Sequence, residues 1–269
     1  MVVTIACAQV AGIWEDPEAT LAMARNCTRM AADAGASLIC FPEQFATGWS
    51  PQSTQFAENL TGTIVTGLRK LARDYGIYTL GSFVEQNDPK PRNTCVVTNP
   101  QGDVIATYAK IHLFSPMGED KFYSPGSNTT VFAVEDYHFG LAICYDLRFP
   151  ALFEAYAREG VHGVIVPAAW PCRRIENWEV FIRARAMENQ LYIIGVNTTG
   201  TTPIECYCGC SMTADPTGTI ISRGRNGEEL LLTELSKEFL FRIRREFPVL
   251  RDQRPDVYRQ LTADGGRRE

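Results

Sequence analysis

The sequence predicts an α/β fold of two mixed β-sheets with helices on their outer faces. Three observations carry that expectation. Short β-rich runs alternate with helix-like stretches, as in parallel strands joined by helices. Hairpin signals interrupt the alternation, which a purely parallel sheet would not tolerate. The 269 residues contain no repeat, low-complexity tract or Pro/Gly-rich linker, so a single domain over 1–269 is expected, with 250–269 as a C-terminal extension.

Taken in order, VVTIACAQV (2–10) reads as a buried strand. Residues 17–35 read as a helix: Pro17 suits its first turn, Met23, Cys27, Met30 and Ala34 recur at helical spacing, and Gly35 can close it. Ser37 to Phe41 is a short strand, Thr63 to Tyr75 a helix closed by Gly76, and IYTLGSFVE (77–85) a third strand. NTCVVTNPQGDVIATYAK places two β-rich runs around a turn at Asn99 to Gly102, and a second hairpin runs from TTVFAVEDY into HFGLAICYD. Alternation then returns. Phe149, Leu152, Phe153, Tyr156 and Ala157 form one helical face ending at Gly160; HGVIVPAAW is a strand, Glu176 to Gln190 a helix and LYIIGVNTT a strand. A last hairpin turns at Asp215 to Gly218. Ser236 to Phe247 reads as a helix, and Arg251 to Leu261 as an extended arm with no core of its own.

Composition narrows the class. With 45% hydrophobic and 21% charged residues the chain is ordinary for a soluble globular protein, and its net charge of -5 lacks the basic footprint of a nucleic-acid binder. The opening MVVTIACAQV has no positive n-region, so no signal peptide is expected, and no apolar stretch is long enough to span a bilayer. Nine cysteines, an odd count at irregular spacing, point to free thiols in a reducing cytoplasm. In CYCGC, alternate spacing puts Cys206, Cys208 and Cys210 on one face of a strand. Without paired Cys-x2-4-Cys units or nearby histidines they read as small core residues rather than a metal site.

Three polar residues follow or close β-rich runs. Read singly, Glu43 is a helix cap or loop charge, Lys110 a solvent-facing charge and Cys144 a buried, inert thiol. Together they carry more. Nucleophilic cysteine chemistry needs a thiolate, a proton shuttle and a donor for the charge that develops on the substrate oxygen, and these three residues supply all of them. A lysine within a few ångströms stabilises a thiolate, and the carboxylate keeps the trio near neutrality. A histidine base is the weaker reading: nothing ties His112 to Cys144, and His138 and His162 begin strands, at the opposite edge.

FPEQF around Glu43, YAKIHLF around Lys110 and ICYDLRFP around Cys144 resemble, in order and spacing, the three signature blocks of the nitrilase superfamily of carbon-nitrogen hydrolases. The resemblance runs from ACAQV to the DPTG hairpin. It implies a four-layer α-β-β-α sandwich, a catalytic triad of Glu43, Lys110 and Cys144, and homodimers or higher homo-oligomers joined partly by C-terminal arms. It also implies a further glutamate between the lysine and cysteine blocks, best matched by Glu119, with Asp120 its neighbour. One departure stands out: the family commonly has a glutamate after RFP, where this chain has Ala151.

The mechanism expected from that resemblance needs no metal or organic cofactor. Glu43 takes the thiol proton, Cys144 attacks an amide carbonyl, and Lys110 with the backbone N–H of Tyr145 holds the oxyanion. CYDLRFP and PAAWPCRRIENWEVFIRARAMENQ are most similar to the omega-amidase branch, which acts on small dicarboxylic acid monoamides. There Trp170 would line the acyl pocket, and Arg173 or Arg174 would hold a substrate carboxylate, unless both are solvated loop charges. Arg148 reads as an inward salt-bridge former. A nitrilase, an N-carbamoyl amino acid hydrolase and a catalytically silent scaffold are the alternatives.

Overall fold

Alternate residues of the first strand, β1 (Val2–Gln9), face two different cores, and this fixes the layering. Ile5 and Cys7 join a buried cluster with Leu141, Ile165 and Ile194 from elsewhere in the chain, whereas Ala6 and Ala8 join another with Ala24, Ile64 and Leu68. A strand covered on both faces must be apolar throughout, and this one nearly is. The computed structural model describes residues 2–264.

The first half builds one sheet. β1, α1 (Pro17–Asp33), β2 (Leu38–Cys40), α2 (Thr63–Tyr75) and β3 (Tyr78–Glu85) give three parallel strands with two helical crossovers. β4 (Arg92–Thr98) and β5 (Val104–Ala109) extend the sheet as an antiparallel hairpin. After α3 (Glu119–Phe122), the second half repeats the plan without repeating the sequence. β6 (Val131–Val134) pairs antiparallel with β7 (Tyr137–Leu141); α4 (Pro150–Arg158), β8 (Gly163–Ala168), α5 (Ile175–Asn189) and β9 (Tyr192–Asn197) complete three parallel strands. β10 (Thr199–Thr201) and β11 (Cys206–Cys208) form a separate ribbon. β12 (Met212–Ala214) and β13 (Ile220–Arg223) continue the second sheet, and β14 (Glu229–Ser236) returns to pair with β1. α6 (Lys237–Glu246) and α7 (Pro255–Asp264) close the described chain. The sheet orders are β14-β1-β2-β3-β4-β5 and β13-β12-β9-β8-β7-β6.

Three buried clusters fill three interfaces, which makes four layers: α, β, β, α. Between the sheets lie Ile5, Leu38, Leu80 and Val97 against Phe139, Leu141, Ile165 and Ile194. α1 and α2 cover the first sheet through Ala24, Ala31, Ile64 and Leu68; α4 and α5 cover the second through Phe153, Tyr156, Trp178 and Ile182. Truncating one such leucine or isoleucine to alanine costs about 2–5 kcal/mol. Glycine permits one of these close helix–sheet contacts. A Cβ on Gly140 in β7 would lie 2.6 Å from the Tyr156 ring, so its absence lets α4 approach the strand that delivers Cys144. No helix among the described residues is long and apolar enough to cross a membrane.

Four expectations need correction. The buried face of α1 is Thr20, Ala24, Thr28 and Ala31, while Met23 and Cys27 are only partly buried and Met30 is exposed. The helix packs closely enough to demand small side chains, and Thr28 satisfies its hydroxyl on the Ala24 carbonyl at 2.8 Å. The CYCGC segment is not a continuous strand. Gly209 and Cys210 both take left-handed φ (64° and 58°), Cys206 is exposed, and Cys208 and Cys210 are partly buried. Residues 255–264 are helical rather than extended. β14, whose inward Leu231, Thr233 and Leu235 alternate with outward Leu232 and Glu234, was not anticipated as a strand.

Candidate active site

Five strands, β2, β5, β7, β8 and β9, point their C-terminal ends at one region. β2 ends three residues before Glu43, β5 ends immediately before Lys110, and β7 ends three residues before Cys144. The ends of β8 and β9 add Ala169, Trp170 and Asn197. Crevices outside strand C-termini are where open α/β sheets bind ligands, because loops there diverge.

Lys110 is the electrostatic centre. Its Nζ lies 2.8 Å from Glu43 Oε1 and 2.9 Å from Glu119 Oε2, and all three side chains are fully buried. Burial alone would push the ammonium pKa down; Glu119 and Glu43 more than offset this and hold it well above its ordinary value. Asn93 braces the pair, donating from Nδ2 to Glu43 Oε1 at 2.8 Å and to Glu119 Oε1 at 3.2 Å. Glu119 also accepts the Phe114 N–H at 2.6 Å, and Glu43 Oε2 accepts the Ala169 N–H at 3.0 Å. Two carboxylates and one ammonium leave this cluster with one net negative charge.

Cys144 stands at the start of a 3-10 turn, Cys144–Arg148, with a left-handed φ of 46°. A non-glycine residue there costs about 1–2 kcal/mol. The strained turn brings the thiol into the pocket that Lys110 also lines, at a position that continuing β7 would not provide. Burial and then the Glu43 charge raise the thiol pKa well above its ordinary value, with Lys110 pulling it partly back. The resting sulfur therefore keeps its proton. This follows from the net negative cluster, which an added thiolate would make more negative still.

The pocket has about 410 Å³ of empty space, its mouth included, and is lined by Trp49, Phe114, Tyr145, Trp170 and Tyr207 together with Lys110 and Cys144. Two guanidinium groups also face it. Arg148 stacks over Trp170 and Phe181 at 5.1 and 5.0 Å, and Arg174 over Phe114 at 5.0 Å. Neither makes an ion pair among the described residues, so Arg148 is not the inward salt-bridge former expected.

Of the residues expected at the site, Glu43, Lys110, Glu119 and Cys144 come together, with Tyr145, Trp170 and Arg174 lining the pocket beside them. Arg173 does not. Its exposed side chain is not in the lining and pairs instead with Glu205, a carboxylate at the pocket, at 2.6 Å; consecutive positions in the short 3-10 turn Cys172–Arg174 face different ways. Asp120 is exposed. His112 is tied to the Cys144 turn after all, through Asp146 at 2.8 Å. Asn93, Trp49, Tyr207 and Asp146 were missed. Only Asn93 left a signal: an amide near the start of a β-rich run, where a buried polar group needs partners. Among the described residues, no three His, Cys, Asp or Glu side chains gather to hold a metal ion.

Residues 4–245 match the family model of carbon-nitrogen hydrolases, and the chain belongs to that family. It is a hydrolase acting on carbon-nitrogen bonds other than peptide bonds. It is 31% identical over 264 residues to an omega-amidase of Mus musculus, covering 93% of this chain and 94% of the relative. To a 2-oxoglutaramate amidase of Bacillus subtilis it is 29% identical, covering 83% and 87%. The crystal structure of Saccharomyces cerevisiae Nit3, a member of the nitrilase superfamily, superposes with a TM-score of 0.85 at 28% identity, covering 92% and 95%.

Proposed function

We propose that the protein is an omega-amidase-like enzyme that releases ammonia from the terminal amide of a small dicarboxylic acid monoamide, with Cys144 as nucleophile. The observation that carries the reading is the buried lysine held between two carboxylates beside a thiol on a strained turn. Glu43 takes the thiol proton as Sγ attacks the amide carbon. The oxyanion forms next to Lys110, whose Nζ contacts Glu43 Oε1 at 2.8 Å and Glu119 Oε2 and Oε1 at 2.9 and 3.2 Å; the longest of the three is the contact that substrate replaces. The backbone N–H of Tyr145 belongs to the first turn after Cys144, where amide groups lack partners within the helix. Glu43 returns the proton to the departing nitrogen as the C–N bond breaks. An acyl thioester and ammonia result. A water molecule gives its proton to Glu43 and attacks the thioester; the acid leaves, and the proton returns to Cys144.

Glu119 acts as a positioning residue for Lys110. The substrate reading rests on Arg174 and Arg148, which make no ion pair among the described residues and stand at an aromatic pocket, where they fit a second carboxylate on the substrate. The names of the two amidase relatives agree with it. We read the enzyme as cytoplasmic, in keeping with its nine free cysteines. We also read it as a homodimer joined partly through its C-terminal segment, which exposes Phe241, Phe247 and Leu261. The test is ammonia release from 2-oxoglutaramate, succinamate, glutamine, N-carbamoyl amino acids and nitriles. Turnover of the first two that Cys144→Ala abolishes is expected; activity retained in that variant refutes the nucleophile.

A further inference from the structure

One buried side chain ties the thiol turn to the lysine strand. The Asp146 carboxylate is fully buried and accepts four hydrogen bonds. Oδ2 takes the Ile143 N–H at 2.9 Å and the Tyr108 hydroxyl at 2.8 Å. Oδ1 takes the His112 N–H and the His112 ring Nδ1–H, both at 2.8 Å. Ile143 directly precedes Cys144, and Tyr108 and His112 stand two residues either side of Lys110.

We propose that Asp146 is a positioning residue, whose carboxylate fixes the separation of the Cys144 thiol from the Lys110 ammonium, with His112 completing the link. The inference rests on the Cys144 reading and deepens it. Capping the 3-10 turn would require only the Ile143 bond. The other three bonds reach across to β5 and the loop that follows it, where they do nothing for the turn itself. They instead bind the backbone on both sides of the group that receives the oxyanion. His112 is locked in turn, its ring stacked flat on Phe149 with centroids 3.7 Å apart and planes 7° from parallel. Because a carboxylate can only accept, the ring proton sits on Nδ1. Pairing of nucleophile and oxyanion donor is sensitive to small displacements: a shift of about 1 Å costs on the order of 100-fold in rate.

Asp146→Asn tests the link with little change of shape. Whichever way the amide turns, its NH2 faces one backbone N–H, that of Ile143 or that of His112, so one tie is lost. The expected result is a kcat lowered ~30- to 100-fold with KM within about threefold, in a variant with a wild-type circular dichroism spectrum. His112→Ala should lower kcat about tenfold. His112→Asn, whose side-chain N–H lies near the position of Nδ1, should restore most of that loss. A folded Asp146→Asn variant with kcat within threefold of wild type, or a loss confined to KM, overturns the proposal. If that variant does not fold, His112→Ala with undiminished kcat overturns it. Cys144→Ala is measured alongside: activity there removes the nucleophile reading, whereas an inactive Cys144→Ala beside a fully active Asp146→Asn removes only the positioning role.

Discussion

Replacing Glu119 with glutamine removes one of the two charges that hold Lys110 in place and leaves its volume unchanged. At an effective dielectric near 20, a charge pair at the observed 2.9 Å is worth about 6 kcal/mol before desolvation. Relief of the repulsion between Glu119 and Glu43 offsets part of this. The amide adds a second penalty, because all four contacts to the Glu119 oxygens come from donors: Lys110 twice, Phe114 N–H and Asn93 Nδ2. An NH2 at either position therefore meets a donor, which costs about 1–3 kcal/mol. Breaking one partner of a buried pair typically costs about 3–5 kcal/mol in all. If about 3 kcal/mol of that is felt when the oxyanion forms, kcat falls on the order of 100-fold. The same loss lowers Tm by about 6–12 °C for a chain of this size. Steady-state ammonia release and differential scanning calorimetry read the two effects. Glu119→Gln with kcat within threefold and Tm within about 2 °C of wild type would refute the claim that Glu119 positions the lysine.

Other outcomes follow from the same geometry. Arg174→Gln should raise KM for carboxylate-bearing amides roughly 10- to 100-fold while leaving neutral short amides little changed, since a charged hydrogen bond is worth about 1.5–3 kcal/mol; equal effects on both would remove Arg174 from carboxylate binding. Because the Cys144 pKa is raised, alkylation by iodoacetamide in the absence of substrate should climb with pH through pH 9 without a plateau. A plateau below pH 8 would mean a resting thiolate. His162 is pushed down to about 4, first by burial and then by Lys237, His138 and Arg244, and its Nδ1 accepts the His138 N–H at 2.8 Å. It is neutral when folded but protonates below about 6.5 when unfolded. Its contribution is thus complete above pH 6.5 and is lost as pH falls through 4. Urea midpoints should fall over that window in the wild type and fall less in His162→Asn, whose side-chain oxygen keeps the acceptor; identical slopes would contradict this.

Much of the fold was legible because each βαβ unit switches hydrophobic period from 2 to 3.6 at a glycine or proline, as at Gly76 and Pro150. What was not legible depends on packing at a distance. The α1 stripe chosen by size, Met23, Cys27 and Met30, lost to Thr20, Ala24 and Thr28, because the spacing between layers rather than hydrophobicity selects the buried face. α7 was read as extended although Val257, Tyr258 and Leu261 recur at helical spacing, and β14 was missed because its pairing with β1 spans 220 residues or more. At the site, Glu43, Lys110 and Cys144 were readable as a set since each sits at a strand end in a chemically matched trio. Asp146 was not, although it stands two residues from the cysteine. Its role comes from contacts with Tyr108 and His112, and no local pattern announces a carboxylate that four donors from two distant segments of the chain surround. The Arg173 and Arg174 pair shows the same limit: a 3-10 turn puts Arg174 in the pocket lining and leaves Arg173 exposed, paired with Glu205.

The central claim is that Cys144 carries the acyl group between two half-reactions. Intact-protein mass spectrometry of enzyme quenched in acid during turnover of 2-oxoglutaramate or succinamate tests it directly. A mass increase equal to the acyl group is expected, mapped to the Cys144 peptide, removed by hydroxylamine as the hydroxamate and absent in Cys144→Ala. Turnover at full rate with no adduct on Cys144, or an adduct on another residue, would contradict it.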